Sequence, residues 1–174
     1  MNGYLSLFTF VFAVLSFQSA QANIVVSFVE GAPKDRFVIE NNGACPFDDL
    51  IVEIDLSASA GRLIFDTTAS GAGVEVFQPF EITEGDVQLL SGTNVRDGDS
   101  VLTVKVTNLL PETTASFTID VDDQLPQGEL GMTRVSGSEI ENSLASVTFW
   151  EHQLSTAAFS ADSVAVVPTP ACQA

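Results

Sequence analysis

Leu50, Val52, Ile54 and Leu56 alternate with Ile51, Glu53 and Asp55. A period of two puts the first set on one face of a strand, against a core, and leaves a mostly acidic face outward. Leu102, Val104 and Val106 repeat the pattern, with Thr103, Lys105 and Thr107 outside. Phe117, Ile119 and Val121 do so again, with Ser116, Thr118, Asp120 and Asp122 on the opposite face. Shorter apolar runs at 24–29, 36–40, 63–65, 74–77, 133–136, 144–150 and 163–167 sit between Gly, Pro, Asn and Asp, giving about ten strands. No window sustains a 3.6-residue apolar period, so helix is confined to a turn or two. The fold class is all-β: an antiparallel two-sheet β-sandwich, with a partly closed β-barrel as the alternative.

One apolar run does not belong to this pattern. Residues 5–17 are apolar and lead into Ala20 and Ala22, an A-x-A cleavage site. The run is too short to span about 30 Å of hydrocarbon as a helix, so 1–22 reads as a signal peptide. No Lys or Arg precedes it. Residues 23–165 then form a single β-sandwich domain, and 166–174, with Pro168 and Pro170, a C-terminal tail. The mature chain has no transmembrane segment and is secreted, to the periplasm or beyond the cell.

Charge narrows the partners. All 23 acidic and six basic residues follow residue 22, so the formal net charge of −17 falls on the mature chain. Lys34, Lys105 and four scattered Arg make no basic face, which excludes nucleic acid. Such acidity serves solubility, or it gathers carboxylates around divalent cations. The two cysteines, Cys45 and Cys172, are expected to pair as a disulfide in an oxidising compartment.

Catalytic signatures are missing: no G-x-S-x-G elbow, no H-E-x-x-H helix and no phosphate-binding or dinucleotide glycine loop occurs. The sole histidine, His152, reads as a surface or strand-edge residue. The chain is therefore expected not to be an enzyme. A glycan hydrolase using an acidic pair is the alternative, but so many acids make carboxylate pairs uninformative.

Asp120, Asp122 and Asp123 are more telling. The first two share a strand face and the third lies just beyond it, so three like charges converge. Either this is a solvated strand end, or a hard cation with six to eight oxygen ligands sits among them, helped by Glu139 and Glu30. Asp35 is a further contributor, whereas Asp97, Gly98 and Asp99 read as a tight turn. Calcium is preferred to zinc, because every available ligand is an oxygen. The spacing is not an EF-hand, since Leu125 stands where its glycine belongs.

Five segments in order carry a family resemblance: Val29 to Phe37; Ile54 to Ser57 with Leu63 to Asp66; Gly71 to Phe80; Phe117 to Asp123; and Gly137 to Ile140. Over about residues 24–150 the chain resembles the aggregation factor core proteins, bacterial relatives of the protein core of the sponge aggregation factor. The resemblance implies extracellular, calcium-dependent adhesion or self-association. The chain lacks that complex's long repeat arrays and has no N-x-S/T sequon. The expected function is thus a secreted acidic β-sandwich module that contacts cell-surface or matrix material, or copies of itself, under the control of calcium. A non-catalytic carbohydrate-binding module is a further alternative.

Overall fold

Strands form where the alternation is cleanest. The structure, a computed structural model, describes residues 23–31, 34–74, 77–90, 95–131 and 134–172; the signal-peptide reading of 1–22 falls outside them. Among the described residues twelve strands occur: β1 (Asn23–Val29), β2 (Arg36–Asn41), β3 (Phe47–Asp55), β4 (Ile64–Asp66), β5 (Glu81–Glu84), β6 (Asp86–Leu89), β7 (Val101–Leu109), β8 (Thr114–Thr118), β9 (Asp120–Asp122), β10 (Leu144–Thr148), β11 (Leu154–Ala158) and β12 (Val164–Pro168). One short helix, α1 (Gly137–Ile140), and a 3-10 turn at Trp150–His152 complete the described elements. No helix among the described residues is long and apolar enough to cross a membrane.

Two antiparallel five-stranded sheets pack together as a sandwich, in the orders β12-β1-β2-β8-β5 and β11-β10-β3-β7-β6, without closing into a barrel. The inward sets of β3 and β7 stand opposite one another, Leu50 to Val106, Val52 to Val104 and Ile54 to Leu102, and all six are fully buried. Burying each such side chain contributes about 1.5–3 kcal/mol. Phe37 lies at the aromatic centre, its ring 5.2 Å from Phe28, 5.4 Å from Phe117 and 6.5 Å from both Phe65 and Phe159.

Three strands escape the sequence pattern, and all are sheet edges. β5, β6 and β11 bury little, so selection for alternating apolar residues is weak there. Conversely, two expected strands are absent from the described residues. Val74 and Phe77 are not in strands, with Glu75 and Val76 outside the description. Arg134 and Val135 are irregular and Ser136 caps α1, with Thr133 outside. The run at 144–150 stops at Thr148, and His152 is exposed with φ 61° at the end of the 3-10 turn. Regular structure also reaches into the expected tail: β12 pairs with β1 through Pro168, tolerated because β12 is an edge and proline lacks a ladder N–H. Beyond it, Cys172 is disulfide-bonded to buried Cys45, with 5.4 Å between the Cα atoms.

The expected strand through 117–121 is two strands. β8 pairs with β2 and β5 in the first sheet, whereas β9 pairs with β4. The chain switches at Ile119, whose N–H donates to the Asp35 carbonyl, and next the Asp120 N–H donates to the Gln78 carbonyl. The polar face of this stretch is consequently covered. Ser116, Thr118, Asp120, Asp122 and Asp123 are all buried, not turned to water as a solvated strand end would be.

Candidate metal centre

The β4–β9 ladder builds the site. Asp66 stands directly opposite Asp120, and Ile64 opposite Asp122. Directly opposed residues share a sheet face, as do positions i and i+2 of a strand, so Asp66, Asp120 and Asp122 all project from one face. Phe65 and Val121 project from the other and are fully buried in the core. One oxygen from each of the three carboxylates lies within 4.8 Å of the other two.

These groups are out of reach of water, with exposures of 0% for Asp66, 4% for Asp120 and 1% for Asp122. Both oxygens of Asp66, Oδ2 of Asp120 and Oδ1 of Asp122 accept no hydrogen bond from any described donor. The ion pairs of the described residues, Lys34–Glu81, Lys105–Asp49 and Arg134–Glu30, do not involve them. An unpaired buried charge is costly, and a lost partner at one such group alone costs several kcal/mol.

The surrounding chain approaches closely. The Val74 N–H donates to Asp122 Oδ2 at 2.8 Å, and the Gln78 N–H to the Asp66 carbonyl at 3.4 Å. Gly73 makes room for the cluster: a Cβ there would stand 2.3 Å from the Asp66 carboxyl and 2.6 Å from Asp122 Oδ2, so these carboxylates would have to move. On the free side of β4, the Phe65 N–H donates to the Asp99 carbonyl and the Gly98 N–H to the Phe65 carbonyl. The turn expected at 97–99 is present, with Gly98 at φ 83°. Asp97 ties it to the next segment, accepting from the Thr67 N–H at 3.1 Å and the Ala72 N–H at 2.6 Å.

Burial dominates the proton affinities. It pushes the Asp120 carboxyl up to about 8, with repulsion from Asp122, Asp35 and Asp66 adding to it. Asp66 rises to about 7, chiefly through burial, with repulsion from Asp122 and Asp97 adding to it. Asp122 is raised by burial, which outweighs its bond from the Val74 N–H. Asp35 rises to about 7 by burial although the Gly31 and Val121 N–H groups donate to it. For Asp97 burial acts upward too, but the hydrogen bonds from the Ala72 and Thr67 N–H groups prevail and hold it below the usual carboxylate range.

The set differs from the one read in the sequence. Asp120 and Asp122 are brought together; Asp123, Glu139 and Glu30 are not in the three-carboxylate group. Asp123 Oδ1 instead accepts from the Leu125 N–H, while its Oδ2 has no partner. Glu139 is occupied on both oxygens, taking the Glu129 N–H on Oε1 and the Ser136 N–H on Oε2 in the capping box of α1. Glu30 is held by Arg134 through two bonds, of 2.6 and 2.9 Å, an arrangement that lowers its pKa. The residue that sequence reasoning did not select is Asp66. Its one signal is its place as the acid ending the apolar triplet Leu63 to Phe65; its partnership with Asp120 exists only once the β4–β9 register is known.

Chemically, three buried oxygen donors with no soft ligand suit a hard divalent ion. Calcium–oxygen bonds of about 2.3–2.6 Å put opposite ligands about 4.6–5.2 Å apart, a span that the 4.8 Å group can meet. No protein-family model matches this sequence, and no curated protein matches it.

Proposed function

We propose that the chain is an exported, non-catalytic binding module that engages cell-surface or matrix material, or copies of itself, and that Asp66, Asp120 and Asp122 hold one calcium ion that shapes its binding surface. The observation that carries this reading is the set of fully buried carboxylate oxygens without a donor. A divalent cation there offsets two of the three negative charges and ties β4 and β9 to the chain at Gly73 and Val74. Burial under Gly73 favours a structural ion over a catalytic one, because a hydrolytic site needs an open position for water or substrate. It equally disfavours these acids as a glycan-cleaving pair. The disulfide supports export, and the five-segment resemblance to aggregation factor core proteins supports calcium-dependent adhesion.

Sedimentation velocity of the protein, together with its retention on washed cell-surface material, tests this in millimolar calcium and in chelator. Calcium should promote self-association or retention, and chelator should reverse it, as should Asp66→Asn with Asp122→Asn. Equal behaviour with and without calcium would sink the reading. Turnover of a polysaccharide, abolished by one acid substitution, would instead establish the hydrolase.

A further inference from the structure

A second site lies where the sandwich is open. β5 is the free edge of one sheet and β6 the free edge of the other, and Gly85, at φ 75°, carries the chain across between them. Between these edges is a pocket of about 760 Å3, inside the range of about 300–1,000 Å3 typical of small-ligand sites. Phe80, Ile82, Val87, Leu89 and Val95 give it an apolar wall. That wall is preformed: the Phe80 ring packs 4.9 Å from Phe117, and Val87 and Val95 are buried. Ile82 is 52% exposed at the rim, an apolar side chain left facing the opening.

The polar lining is asymmetric. Arg96 is its only cation, and none of the ion pairs among the described residues engages it. Asp97 is the only acid among its described lining residues, and both carboxylate oxygens are turned to the backbone N–H groups of Thr67 and Ala72. A guanidinium beside an apolar cavity matches an amphiphile whose tail fills the pocket and whose carboxylate takes paired N–H donors. The net charge of −17 does not forbid an anionic head group, because charges beyond the Debye length of about 8 Å are screened at physiological salt.

We infer that this pocket binds a single-chain carboxylate amphiphile, a medium-chain fatty acid in size, with the acyl chain against Phe80, Val87 and Leu89 and the carboxylate on Arg96. The test uses the neutral fluorophore N-phenyl-1-naphthylamine as a probe of the pocket and displaces it with decanoate, below its micellar concentration, or decanol, below its solubility limit. Decanoate should displace the probe at roughly tenfold lower concentration than decanol. Arg96→Gln should close that gap to about twofold while leaving decanol unchanged. Ile82→Glu, at an exposed edge position, should weaken both competitors with the fold intact by circular dichroism. Absence of probe binding, equal competition by decanoate and decanol, an unaltered gap in Arg96→Gln, or unaltered competition in Ile82→Glu would each overturn the assignment.

Discussion

Freed of metal by dialysis, the protein should become more stable as the pH is lowered from about 8 to about 5, the reverse of the usual behaviour of an acidic domain. The folded-state carboxyls of Asp35 and Asp66 titrate near about 7 and that of Asp120 near about 8, against 3.8 for ordinary Asp. Throughout that window the native state holds more protons than the unfolded chain. Their contribution is therefore complete below the unfolded value and is lost as pH rises through the folded values. Each tenfold change in proton affinity is worth about 1.4 kcal/mol, and allowing for coupling among the groups the loss should be on the order of 5 kcal/mol. For a chain of this size that is about 10–20 °C in Tm. Saturating calcium should remove most of the decline near neutrality, since metal replaces the protons. Glu30 and Asp97, held low, act in the opposite sense and only at more acid pH. Thermal melts of dialysed protein across the range provide the check; a Tm that climbs with pH between 5 and 8 would mean that the cluster is not paying the cost its burial implies.

Reduction of the disulfide should be the other large effect. Cys45 and Cys172 are 127 residues apart in sequence, so their bond closes nearly the whole described chain into a loop. Loop-closure entropy at that separation is worth about 4–5 kcal/mol, or about 10–20 °C in Tm. Cys45→Ser with Cys172→Ser should reproduce the effect of reductant. The sandwich itself should survive at low temperature, because the Phe37 cluster and the β3–β7 contact do not involve the cysteines. Melts with and without reductant decide the matter: an unchanged Tm would show that the link adds nothing.

What could be read from the sequence follows the physics of burial. Central strands bury one face and display it as an alternation, as at Leu50, Val52 and Ile54 of β3 and Leu102, Val104 and Val106 of β7, whereas β5, β6 and β11 at the sheet edges have little to bury and leave no such trace. The break at Ile119 was hidden because the same period of two continues across it; only the pairing partner changes, from β2 to β4. The acids at 120–123 were visible as a local concentration of charge. Their burial was not, since it comes from β4 and from the segment around Gly73, distant in sequence. Asp66 is illegible in the sequence for the same reason, and Glu139 and Glu30 read there as unassigned acids although a helix cap and Arg134 claim them.

The most direct test of the calcium site is a count of bound ions by equilibrium dialysis of the folded, disulfide-intact protein in calcium. The Asp66–Asp120–Asp122 cluster predicts one ion per chain that Asp66→Asn with Asp122→Asn eliminates while the far-ultraviolet dichroism remains that of the parent. No uptake at millimolar calcium, or the same uptake in the double variant, would contradict it.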